Sequence, residues 1–181
     1  MANSSAPSVL LLCGSDSDAA TMTAGARMLE TFGIDWELRV SSAHRAPDRT
    51  IELARTARDR GFSAIIAGAG LAAHLPGVVA AVTTLPVIGV PLASGPMRGT
   101  DALHAIVQMP RGVPVATVGI DNAGNAAILA ARIIALFDDE VRSKVDAYVA
   151  SLEQGVIDAD ERVQQQLATT PPGATTTTAG G

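Results

Sequence analysis

The chain repeats one rhythm five times: a short apolar run, a loop, and a longer segment with helical spacing. The runs are "SVLLLC" ahead of 18–32, "IDWELRV" ahead of 47–60, "SAIIAG" ahead of 75–83, "PVIGVP" ahead of 99–108 and "VPVATVGI" ahead of 123–137. Strands that alternate with helices pair in parallel, because each connection must cross over the sheet, and the crossing helices cover both of its faces. The predicted class is therefore α/β, with a parallel sheet of five strands. Ligands of such sheets bind beyond the carboxyl ends of the strands, so chemistry is sought in the loops 14–18, 41–47, 69–75 and 91–98.

Composition narrows what those loops serve. At 181 residues the chain fits one domain, and with 48% hydrophobic but only 3% aromatic residues its core must be built from Ala, Val, Leu and Ile. A formal charge of -5 without a Lys/Arg run excludes a sequence-independent grip on nucleic acid. No apolar stretch reaches the roughly 20 residues of a membrane-spanning helix. "MANSSAPS" lacks the basic and apolar regions of a signal peptide, so a cytoplasmic protein is expected. The single Cys13 lies in an apolar run and reads as a buried thiol.

The fifth unit is followed by a long charged segment in which Val141, Val145, Tyr148, Val149 and Leu152 make one apolar stripe. A neighbouring subunit is the favoured place for that stripe, because the five-strand unit is already complete without it. The expected domain spans 8–168, after a short extension over 1–7. The segment 169–181, "TTPPGATTTTAGG", reads as a low-complexity mobile tail.

Three loops carry the chemistry. "GSDSD" sets Ser15, Ser17 and Asp18 between the first strand and its helix, where hydroxyls and free helix N–H groups could cradle a phosphate. Asp18 would repel that phosphate at contact and suits ribose hydroxyls instead. Ser17 and Asp18 could equally be helix caps. "SSAHRAPDRT" puts His44 and Arg45 just ahead of Pro47, a residue suited to the first helical position, with Ala46 as a poor cap. Arg45 offers a planar fork for an anion, and His44 a group that gives and takes a proton near neutral pH. In "AGAGLAAHLPG" the glycines at 68, 70 and 77 let backbone approach a flat ring, and His74 suits a binding or structural role. His104 reads as a helix-surface residue. No cluster has metal-ligand spacing.

"GSDSD", "SAHRAPD", "AGAGLAAHLPG" and "IVQMPRGVPVATVGIDNAGNAAILAARI", in this order, resemble the PurE family over about residues 8–165. The resemblance implies a three-layer, flavodoxin-like α/β/α sandwich, assembled as a homo-octamer through the C-terminal helix. It also implies a step of de novo purine synthesis on a small ribonucleotide, without ATP, metal or biotin as cofactor. In that step a carboxylate moves from the exocyclic nitrogen of an aminoimidazole ribonucleotide to ring carbon C4. The carbamate loses carbon dioxide, C4 captures it, and the C4 proton leaves. His44 would be the catalytic proton carrier, Ser15, Ser17 and Arg45 would hold phosphate, and Asp18 ribose. Ser42, Ala43, Ala69, Gly70, His74 and Leu75 would frame the ring and carboxylate, with Ala72 and Ala73 adding to a dry wall.

Arg45 after His44 resembles the mutase class; the related carboxylase class, which uses free carbon dioxide, typically has Lys there. A mutase would be coupled functionally to the ATP-dependent synthase that makes its substrate. The alternatives are the carbon dioxide-dependent carboxylase and a non-catalytic, flavodoxin-like nucleotide-binding module. The chain departs from the family pattern at Leu71, where a second Gly is common, at Ala46, where Thr is common, and in "ASGPMRGTD".

Overall fold

The structure, a computed structural model, describes residues 6–169. Most of the 1–7 extension and the expected tail from 170 onward lie outside the described residues.

Five parallel strands form one sheet in the order β2-β1-β3-β4-β5. They are β1 (Ser8–Cys13), β2 (Asp35–Val40), β3 (Phe62–Gly70), β4 (Val87–Leu92) and β5 (Ala116–Thr117). The helices are α1 (Ala19–Thr31), α2 (Pro47–Thr56), α3 (Leu75–Ala80), α4 (Thr100–Val107), α5 (Ala123–Ile134) and α6 (Asp139–Thr169), with a single 3-10 turn over Asp16–Asp18 leading into α1. This is the flavodoxin-like sheet order, and it puts the switch in winding direction between β1 and β3.

The continuous run "SVLLLC" belongs in the interior of the sheet, between β2 and β3, because it is apolar on both faces. Leu10 and Leu12 pack with Ile65 and Ala67 under α2, α3 and α4, using Ala54, Ala57, Leu75, Val79, Ala102 and Ile106. On the other face α1 packs against α5, and the approach is close: a Cβ built on Gly25 would lie 2.7 Å from the Ala123 carbonyl oxygen. Phe32 and Phe62 are buried, but most of this core is built from small and aliphatic residues, so helix backbones sit near the sheet. Each fully buried Leu or Ile contributes about 1.5–3 kcal/mol relative to exposure.

Edge strand β2 is the least buried of the long strands, and polar pairs secure it. Glu37 takes Arg39 Nε at 2.6 Å and both of its oxygens take Arg60 Nη2, tying the edge to the turn ahead of β3.

Several elements are shorter than the periodicity predicts, among them α3, which ends at Ala80 rather than 83. The expected strand over 113–120 keeps ladder pairing only at Ala116 and Thr117, opposite Ile88 and Gly89. It lies at the other edge of the sheet, and Pro114 has no N–H to donate. Helix α2 stops at Thr56 rather than 60, because Gly61 with φ +90 turns the chain into β3. Helix α5 ends at Ile134, and Leu136 and Phe137 are exposed.

The residues up to Val145 make one compact unit and those from Asp146 a second. Within the first, Val141 and Val145 of the stripe are buried. Within the second, α6 continues as a regular helix on which Val149, Leu152, Val156, Ile157, Val163 and Leu167 are exposed. Among the described residues no helix is long and apolar enough to cross a membrane.

Candidate active site

A cavity of about 470 Å³ opens beyond the carboxyl ends of β1, β2, β3 and β4. The eleven residues expected to act in catalysis or substrate binding line it: Ser15, Ser17 and Asp18 after β1; Ser42, Ala43, His44 and Arg45 after β2; Ala69, Gly70, His74 and Leu75 after β3. The parallel sheet accounts for this convergence, since every strand delivers its following loop to the same edge.

The loop after β1 folds on itself. Ser15 is the N-cap of the 3-10 turn; its hydroxyl accepts from Ser17 N at 3.4 Å and from Ser17 Oγ at 3.0 Å, and donates to Asp16 Oδ1 at 3.0 Å. That bond from Ser15 holds the exposed Asp16 carboxyl below its ordinary range. The cap reading of Asp18 does not hold: it occupies the N-cap position of α1 but makes no side-chain capping bond. Its carboxylate borders the cavity, and partial burial raises its pKa.

The loop after β2 is held by Arg45. Its Nη2 donates to the Gly14 carbonyl at 2.8 Å, and its backbone N donates to Ser42 Oγ at 3.2 Å, tying the β1 and β2 loops together. Of five guanidinium N–H groups, three remain after the Gly14 bond and a long 3.4 Å approach of Nε to Ser42. Beneath the loop, Ser41 and Thr50 share a buried hydroxyl bond of 2.8 Å that fixes the start of α2. Ala46 makes no side-chain cap, in line with the sequence reading.

The loops after β2 and β3 meet through two imidazoles. His44 Nε2 and His74 Nδ1 are 2.7 Å apart, with the rings nearly edge to face at a centroid distance of 4.8 Å. In such a bond one ring donates and the other accepts, so His44 and His74 do not both carry hydrogen on the facing atoms. The pairing occupies His44 Nε2 and leaves Nδ1 outside it.

The cavity also contains Gly14, Leu71, Ala72 and Ser94. Ser94 was missed because nothing in "ASGPMRGTD" distinguishes it; only its place after a strand's carboxyl end pointed there. Ala73 is buried in the core rather than lining the cavity. Among the described residues no group of three or more His, Cys, Asp or Glu could hold a metal ion. Cys13, fully buried beside the cavity, has its thiol pushed up to about 11, chiefly by burial and then by Asp18. It is poorly suited to nucleophilic work.

The family model for AIR carboxylase matches residues 8–155. The chain belongs to this family. The resemblance to PurE read from its motifs is borne out. An N5-carboxyaminoimidazole ribonucleotide mutase of Thermotoga maritima is 52% identical over 88% of this chain and 93% of its own length. A phosphoribosylaminoimidazole carboxylase of Candida albicans is 50% identical over 88% of this chain, which spans only 28% of that longer protein. The crystal structure of Treponema denticola PurE superposes with a TM-score of 0.79 at 33% identity, covering 86% of this chain and 98% of that one.

Proposed function

We propose that the protein is an N5-carboxyaminoimidazole ribonucleotide mutase, isomerising its substrate to the 4-carboxy-5-aminoimidazole ribonucleotide. The observation that carries this reading is the set of groups bordering one cavity: a histidine able to exchange protons, a guanidinium with spare donors, serine hydroxyls and a half-buried carboxylate. Its volume falls in the range of about 300–1,000 Å³ usual for small-molecule sites. The full-length match to the Thermotoga mutase supports the same activity.

Arg45 and the Ser15–Ser17 loop bind the phosphate, with Asp18 accepting from ribose hydroxyls. Ser15 must exchange its bond to Asp16 for one to phosphate. Ser42, Ala43, Ala69, Gly70, His74 and Leu75 surround the ring and its carboxylate. The proton count closes on one histidine. As the N–C bond of the carbamate breaks, its electron pair stays on nitrogen, which takes a proton from His44. C4 then attacks the released carbon dioxide, and the C4 proton returns to His44, restoring aromaticity. His44 gives and takes the proton at Nδ1 and keeps hydrogen on Nε2 throughout, donating it to His74 Nδ1, so the ring stays oriented through both halves.

A homo-octamer that buries the exposed α6 stripe between subunits is part of this proposal, as are the single domain over 8–168, a cytoplasmic location and functional coupling to the synthase that supplies the carbamate. The carbon dioxide-dependent carboxylase is the second reading, favoured by the similar identity to the longer carboxylases. Purified protein is expected to convert the carbamate substrate without ATP, metal or added bicarbonate. Turnover only of aminoimidazole ribonucleotide with bicarbonate would instead select the carboxylase.

A further inference from the structure

At the cavity mouth the loops after β3 and β4 interlock, each resting a side chain on a glycine of the other. A Cβ built on Gly70 would lie 2.6 Å from Ser94 Oγ, and one built on Gly95 would lie 2.5 Å from Leu71 Cδ2. Neither glycine has room for a side chain, so Ser94 sits directly over Gly70 and Leu71 directly over Gly95.

Leu71 holds this position against its own backbone. Its φ is +55, a left-handed conformation in which a leucine Cβ crowds the chain and a glycine would not. Nor is core burial the compensation, because the residue is 51% exposed. What it does contact is Gly95, at the middle of a loop fixed at its start by Asp121 Oδ1 accepting from Ala93 N at 2.9 Å. Leu71 is therefore a strained apolar latch, next to Gly70 and Ala72 in the cavity wall.

The chemistry of the mutase reading, on which this inference rests, has a step that needs such a wall. Carbon dioxide released from the carbamate carries no charge and no net dipole, so Arg45 and the hydroxyls have little to hold. Keeping it beside C4 depends on closing its exits with surfaces that also exclude water.

We infer that Leu71 is a specificity-determining residue: seated on Gly95, it retains the released carbon dioxide for C4 and so separates internal transfer from exchange with dissolved bicarbonate. The atoms balance as in the isomerisation itself, one N–C bond broken and one C–C bond formed; Leu71 decides only whether the same carbon completes both.

The test uses substrate labelled with ¹³C in the carbamate, in excess unlabelled bicarbonate equilibrated by carbonic anhydrase. The readout is the ¹³C fraction in the product carboxylate at early conversion. The unaltered protein is expected to retain most of the label. Leu71→Ala, which keeps the left-handed strain, and Leu71→Gly, which relieves it, are both expected to lose retention several-fold. Unchanged retention in both variants overturns the inference. So does loss in Leu71→Gly alone, which would assign the effect to backbone stiffness instead of the side chain. Complete exchange by the unaltered protein also overturns it while leaving the isomerase activity standing. Failure to convert the carbamate at all would instead refute the mutase reading.

Discussion

Replacing Arg45 tests whether the cavity is oriented with its phosphate end at the β1 and β2 loops. The guanidinium is already anchored by the 2.8 Å bond to Gly14 O, which together with the long Nε approach to Ser42 leaves three N–H groups, enough for a two-point contact with phosphate. Arg45→Lys keeps the charge but loses the fork and the Gly14 anchor in its present form. Losing one charge-assisted bond costs about 1.5–3 kcal/mol, a weakening of roughly 10- to 150-fold in Kd. Arg45→Met, which removes the charge too, should weaken binding further. The assay is calorimetric titration with the 4-carboxy ribonucleotide and, separately, its unphosphorylated riboside. The loss should fall on the nucleotide, with riboside affinity nearly unchanged between native protein and variant. Equal losses for both ligands would mean that Arg45 shapes the ring pocket or the loop, and the phosphate assignment would be wrong.

His44→Asn should abolish turnover while the 4-carboxy ribonucleotide still binds; surviving activity would show that another group moves the proton. Gly25→Ala forces a Cβ to 2.7 Å from the Ala123 carbonyl, where two helix backbones meet. Overpacking of about 1–3 kcal/mol exceeds the helix gain of about 0.5–1 kcal/mol, so a net loss of roughly 1–2 kcal/mol should lower Tm by about 3–8 °C. An unchanged or raised Tm in a thermal melt would contradict that packing. Cys13, with its thiol at about 11, should be alkylated far more slowly in the native protein at pH 8 than after unfolding, about 100-fold from ionisation alone. The same shift means that the unfolded chain releases this proton first. Stability should therefore fall as pH rises from 9.0 to about 11, and Cys13→Ala should flatten that slope in denaturant titrations.

Much of the site was legible because a parallel sheet has a polarity. Once five strand-loop-helix units are recognised, their loops converge on one edge, and the chemistry-bearing residues there become neighbours whatever their separation in sequence. Ser15, His44 and His74 share one cavity for that reason. What the chain order could not supply was pairing at atomic range. His44 and His74 are 30 positions apart, and only the relative height of the β2 and β3 loops brings their nitrogens to 2.7 Å. Capping was similarly ambiguous: Ser17 and Asp18 were the candidates, but Asp18 makes no capping bond at α1 and it is Ser15 that caps the 3-10 turn ahead of it. The short β5 reflects its edge position, where one neighbour supplies the whole ladder.

By itself, then, the amino-acid sequence determined the layer architecture, the sheet edge that carries the chemistry and the residue types gathered there, because hydrophobic periodicity and chain direction are properties of the string. The tertiary structure decided which of those residues touch. It set Arg45 on Gly14, His44 against His74, and Leu71 over Gly95, in a backbone conformation that leucine does not choose locally. Such contacts depend on ångström-scale offsets between strands, and those offsets follow from the packing of the whole core, not from any one segment.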